Sequence, residues 1–264
     1  MGRHRTERAG RRLRRGSDPG FILLAAVWLL LLAGAVVAAM TLTAFRESKA
    51  AHGARDQLAA DMAVESAVQL VIADLIENGG RGRWGRTPTS GTIMVDGIAV
   101  ELSVSNEAGR LDLNEAEPSS IDGALQGLGV PADARQRVLG EVARLRLTKR
   151  RLGYWAELEG LLTLAGPDGR CRIPLFTLWS GQAMPTPQQI PQALAKAMGQ
   201  EGNMSGEPGA TDTITGQVFR VIAQTRTPSA ARLIAVIRVT NWLNDPYDIY
   251  TWNRSAPGCE RKAG

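Results

Sequence analysis

Histidine is nearly missing from this chain: His4 and His52 are the only two in 264 residues. That scarcity removes most routes to imidazole acid–base catalysis and to histidine-ligated metals. The two cysteines, Cys171 and Cys259, are too few for a disulfide framework or a cysteine-built zinc site. One bridge between them and two separate thiols both remain open. No P-loop, nucleophile elbow or His/Cys metal spacing occurs. The Glu157/Glu159 pair reads as surface charge, so catalysis is not expected.

A general basic excess is also lacking. Residues 1–20 hold seven arginines against Glu7 and Asp18, which accounts for the whole formal charge of +5. The other 244 residues carry 24 basic and 24 acidic side chains. A nucleic-acid-coating protein would spread its excess over the folded part, so the bulk charge argues against that class.

Charge is absent altogether from Phe21 to Ala44, a run reading FILLAAVWLLLLAGAVVAAMTLTA. As a helix its 24 residues span about 36 Å, enough for a ~30 Å hydrocarbon core. A cleaved signal peptide would have a shorter apolar region ending in a small-residue cleavage site. The arginines before the run place that end in the cytoplasm and the rest of the chain outside. Helical periodicity continues beyond it, with Leu58, Met62, Val68, Ile72, Leu75 and Ile76 expected on one face. One long helix results, stopped by Asn78-Gly79-Gly80.

Past a Gly/Arg loop over 79–91, Thr92–Val95 and Ile98–Ser105 flank Asp96-Gly97, a strong hairpin signal. Gln217–Thr225 and Ala231–Asn241 read as a second strand pair with period-two alternation. Between the pairs, helices are expected at 118–128, 131–149, 154–164 and 187–198. The class is therefore α+β, with a long N-terminal helix, an antiparallel sheet and an inserted all-helical segment of helix-hairpin-helix type. Asn114 is placed to cap the helix after it.

A basic leader ending in Gly20, then Phe21 and an uninterrupted apolar helix, resembles the type IV prepilins and pseudopilins. The stretch Gly109-Arg110-Leu111-Asp112-Leu113-Asn114-Glu115-Ala116-Glu117-Pro118 resembles a signature of the minor pseudopilin K family of type II secretion. Tyr154-Trp155-Ala156-Glu157-Leu158 through Gly166 resembles the next signature, with Leu164-Ala165-Gly166 where the family has Val-Pro-Gly. A later copy keeps Ser180-Gly181 and has lost both asparagines, which marks a divergent member. Pro246–Trp252 resembles the family's closing aromatic strand.

The resemblance implies a pilin-like domain (45–109 and 201–264), an inserted helical domain (110–200), a leader (1–20) cut between Gly20 and Phe21, and a membrane helix (21–44). It implies methylation of the new N-terminus at Phe21. It also implies a place at the filament tip, because Ala25 stands where most members carry a glutamate that pairs with the next subunit. The implied partners are the I-, J- and H-type minor pseudopilins, the major pseudopilin, prepilin peptidase and the inner-membrane secretion platform. Calcium in the pilin-like domain is the one cofactor implied, and its ligands cannot be mapped; Glu201 to Asp212, Asp245 and Asp248 supply oxygen ligands of the right kind. The implied location is the bacterial inner membrane, single-pass, with the bulk periplasmic. A competence- or pilus-type accessory subunit that touches DNA is the alternative. It rests on Arg135, Arg137, Arg144, Arg146, Lys149, Arg150 and Arg151, facing only Glu141 in that segment, with 137, 144 and 151 repeating at seven. A solvated helix face is the plain account of the same run, and nucleic acid is not expected among the partners.

Overall fold

No proline and only Gly34 and Gly53 interrupt residues 21–78, and the chain there is helical throughout. The computed structural model describes residues 19–200, 214–227, 229–242 and 244–254. Helix α1 runs from Pro19 to Asn78. The expected leader as far as Asp18, the Glu201–Asp212 stretch and Cys259 lie outside the described residues.

The described chain divides into two units, one ending at Ala54 and one beginning at Arg55. In the first, α1 is long and apolar enough to cross a membrane, and none of its apolar window is buried by protein. Trp28, Leu29 and Leu30 each expose about two thirds or more of their surface. Protein packing within the described chain gives these side chains no burial.

The second unit is an α+β structure in a pilin-like arrangement. Strands β1 (Thr89–Val95) and β2 (Ile98–Asn106) form the hairpin expected from Asp96-Gly97. Both turn residues have positive φ, 48° and 80°, as a type I′ turn demands. After β2 come β3 (Leu111–Asp112), α2 (Pro118–Gly127), α3 (Ala132–Leu147), α4 (Trp155–Thr163), β4 (Phe176–Thr177) and α5 (Gln192–Ala197). Strands β5 (Val218–Gln224), β6 (Arg232–Val239) and β7 (Tyr247–Asn253) then complete an antiparallel sheet of order β1-β2-β5-β6-β7. The helical segment thus falls between two strands, β2 and β5, that are neighbours in the sheet. Its start is tied to a later stretch by the short parallel pair β3–β4.

Strand alternation sends successive side chains to opposite faces, one covered by α1 and the other in part by the helical segment. On one, Val100, Leu102, Val104, Phe219, Val221, Leu233, Ala235 and Ile237 pack against Ala60, Ala63, Val64, Ala67, Val68, Val71, Ile72 and Leu75 of α1. On the other, Val218, Ile234 and Val236 join the core of the helical segment, built on Leu113, Ile121, Leu125, Val138, Leu158, Leu162 and Phe176. Each fully buried aliphatic side chain of this kind contributes roughly 1.5–3 kcal/mol.

Two expectations are corrected. Leu58 and Met62 do not face the sheet; each is 60% exposed. The sheet-facing stripe runs instead through Ala60, Ala63 and Ala67, whose small side chains let helix and strands approach closely. The helix expected at 187–198 is a 3₁₀ turn, Pro187–Gln189, followed by the shorter α5, because Pro191 cannot sit inside a helix.

Candidate functional site

Gly20, Phe21 and Ala25 all lie in the opening turns of α1, where Phe21 is 73% exposed. The signature residues lie far along the chain, and Asp112 and Asn114 among them tie distant stretches of the helical segment to one another.

Asp112 is fully buried. Its carboxylate accepts hydrogen bonds from the backbone N–H groups of Asn114 (2.9 Å) and Gly181 (2.9 Å) and from the Ser180 hydroxyl (3.1 Å). Burial pushes the Asp112 carboxyl above its ordinary range, against the pull of those donors. The retained Ser180-Gly181 therefore has a physical role, gripping the aspartate of the first signature.

Asn114 does not cap α2, contrary to expectation. The N-cap residue is Glu117, without a side-chain cap bond, and Pro118 opens the helix. The Asn114 amide instead donates to the carbonyls of Leu152 (2.9 Å) and Leu178 (3.0 Å), and its oxygen accepts from the Leu152 N–H (2.9 Å). A side chain with both donor and acceptor can bridge three strands of chain in this way; aspartate cannot. Ala116 is fully buried beside it.

Glu157 is more than surface charge. It accepts from the N–H groups of Gly153 (2.8 Å) and Tyr154 (3.1 Å), closing the start of α4, and pairs with Arg150. Those backbone donors, with Arg150, hold its carboxyl below the usual range. Leu158 is fully buried. Gly166 has φ of 104°, a conformation that favours glycine, in the turn after α4. Gly109 admits no Cβ, which would meet the Gln189 carbonyl oxygen at 2.0 Å.

A second element was not foreseen from the sequence. Arg220, in the middle of β5, is 1% exposed and reaches into the helical segment. It donates to the carbonyls of Ile173 (3.2 Å) and Phe176 (3.0 Å) and to Glu107 Oε2 (2.9 Å), and its Nε lies 2.7 Å from Glu107 Oε1. Its guanidinium carbon sits 5.2 Å from the Trp155 ring centre. Trp155 stacks with Trp179, and Trp179 with Tyr250 of β7, at 6.3 and 6.2 Å. Arg110 completes the group, donating to the Pro174 and Asn106 carbonyls and pairing with Glu107 at 3.1 Å. Burial and the neighbouring Arg220 bring the Arg110 guanidinium down to about 10, still charged at neutral pH.

The arginine cluster is ion-paired: Arg144 pairs with Glu141 inside the run, and Arg137 with Asp133, Arg135 with Asp122 and Arg151 with Glu115 outside it. Arg146 donates to the Leu113 and Ala116 carbonyls. Little of the run is left as a bare phosphate-binding stripe.

Cys171 is disulfide-bonded. Of the oxygen ligands considered for calcium, only Asp245 and Asp248 are described, and no group of three or more His, Cys, Asp or Glu that could hold a metal occurs among the described residues. No protein-family model matches this chain, and no curated protein matches it significantly.

Proposed function

We propose that this chain is a minor pseudopilin of the K type, a non-enzymatic, membrane-anchored assembly subunit that caps or initiates the pseudopilus of a type II secretion system. The observation that carries the reading is α1. A single helix is lipid-compatible on all sides at its start and buried against a sheet at its end. That is the design of a subunit whose helix joins a filament bundle while its head stays outside the membrane. The Asp112–Asn114 knot adds support, because two signature residues tie distant stretches of the helical segment together.

In this reading the N-terminus is cytoplasmic, the span lies in the inner membrane and the bulk is periplasmic. The helical segment adds volume to the head, which leaves no room for a further subunit above it. Ala25 brings no intramembrane carboxylate to pair with such a subunit, and burying one there would cost about 2.5–3.5 kcal/mol. The other minor pseudopilins, the major pseudopilin and the secretion platform are the partners.

Co-expression with prepilin peptidase followed by N-terminal mass spectrometry tests the proposal. A mature chain beginning at methylated Phe21 is the expected product. An intact arginine-rich leader, or cleavage beyond Ala44, would overturn it.

A further inference from the structure

The helical segment covers only part of its face of the sheet. Strand register defines the boundary. One row across the sheet runs Ser90, Ser103, Ile222, Ile234, and Ile234 is buried under the segment's core. The next row outward runs Thr92, Glu101, Gln224, Arg232. Here the cover ends, and a groove of about 480 Å³ lies over both rows.

Arg232 sits at the end of this groove, half-buried, and its Nε is closed to solvent without a hydrogen-bond partner. Its side chain makes no ion pair or hydrogen bond among the described residues. The one carboxylate on the row is already engaged: Glu101 accepts from Gln224 Nε2 at 2.8 Å and pairs with Arg226 at 3.2 Å. Burial alone lowers the Arg232 guanidinium's pKa, with no acid to counter it. A partly desolvated cation without a partner is costly, and the two most buried arginines of this chain are matched. Arg220 and Arg110, both more buried, share Glu107 and four backbone carbonyls.

We propose that this shelf is a docking surface for another protein, and that an aspartate or glutamate of that partner pairs with Arg232. Charge complementarity selects the occupant. With Glu101 and Arg226 neutralising each other, the shelf carries one positive charge unmatched among the described residues. A small free anion would find only a single cation in an open groove. A peptide segment combines one carboxylate with hydrogen bonds to Ser90, Thr92 and Ser103 and an apolar contact to Ile222, spread over four strands or roughly 14 Å. The inference uses only the sheet face and stands apart from the pseudopilin reading; leader cleavage bears on one and not on the other.

Site-specific photo-cross-linking tests it. Benzoylphenylalanine is placed at Thr92 and, separately, at Ser103 in the full chain in its native membrane, and the adducts are mapped by mass spectrometry. The expected result is an adduct with a segment of another protein that contains Asp or Glu. Its yield falls by about tenfold or more in Arg232→Glu and returns when the mapped acid is changed to Lys. Arg232→Gln gives the same loss and serves if the Glu variant does not accumulate. Absence of any adduct, an adduct within this chain, a partner segment without a carboxylate, or a yield indifferent to both Arg232 variants would each overturn the proposal.

Discussion

Arg220 of β5 and Glu107, just after β2, meet at 2.7 Å in a place where their side chains are 1% and 0% exposed. The contact joins the centre of the sheet to the helical segment, because the same guanidinium also holds the carbonyls of Ile173 and Phe176. Removing one partner of such a pair strands a buried charge, and here two, since Arg110 shares the carboxylate. Glu107→Gln is therefore expected to destabilise the chain by about 3–5 kcal/mol. Urea unfolding of the full chain in detergent, followed by tryptophan fluorescence, measures this. A loss under about 1 kcal/mol would mean that the arginines find other partners.

The same pair sets a pH dependence. Burial by itself raises the Glu107 carboxyl, but Arg220 and Arg110 outweigh it and hold the group below its ordinary value of 4.5. A carboxyl lowered in the folded state contributes stability that is complete above its unfolded pKa of about 4.3 and is lost as pH falls through the folded value. Unfolding midpoints are expected to be flat from neutral pH to about 5 and to fall more steeply below 4 in the native chain than in Glu107→Gln. Parallel acid limbs for the two proteins would contradict the assignment.

Asn114 makes a different kind of link, by neutral hydrogen bonds to two distant stretches of chain. Asn114→Ala leaves backbone groups of Leu152 and Leu178 without partners and is expected to cost about 2–3 kcal/mol. Asn114→Asp loses both donors and sets a carboxylate against two carbonyls, so it is expected to be at least as damaging. Hydrogen exchange at the Leu152 amide is the specific readout. It should speed up in both variants, whereas a simple helix-capping residue would affect only the first amides of α2.

Legibility in the sequence followed the range of the interaction. The β1–β2 hairpin was readable because Asp96 and Gly97 fix the turn locally, and β5 and β6 were readable from their alternation. The end of α1 was readable from Asn78-Gly79-Gly80. The roles of Asp112 and Asn114 were not, although the residues themselves stood out: their partners lie at 152, 178 and 180–181, and no local pattern encodes such pairings. Arg220 gave no signal, since an arginine in an alternating strand reads as solvent-facing until the helical segment is placed over it. Leu58 and Met62 misled for the converse reason. Large apolar residues suggested the buried face, while the close-packed one is lined by alanine.

DNA contact by the arginine run is expected to be negligible. Arg135, Arg137, Arg144, Arg150 and Arg151 each have a carboxylate partner, so releasing counterions from phosphate would first require breaking ion pairs within the protein. Gel-shift titration of the full chain in detergent at about 50 mM salt should show no micromolar complex. Binding with a steep salt slope would favour the accessory-subunit alternative and count against the ion-paired surface.

Two helical glycines should respond to alanine in opposite directions. Gly127 ends α2 where it meets the end of α5, and a Cβ there would lie 2.1 Å from the Ala197 carbonyl oxygen. Backbone must move to admit it, so Gly127→Ala is expected to cost about 1–3 kcal/mol. Gly160 sits inside α4, exposed, with no heavy atom within 4 Å of where a Cβ would stand. Alanine there removes backbone freedom from the unfolded chain without a clash, and Gly160→Ala is expected to stabilise by about 0.5–1 kcal/mol. Urea midpoints of the two variants, measured side by side, check both signs at once. A stabilising Gly127→Ala would mean that α2 and α5 do not pack as closely as described. A destabilising Gly160→Ala in the isolated chain would mean that the open side of α4 is covered by something within the protein itself.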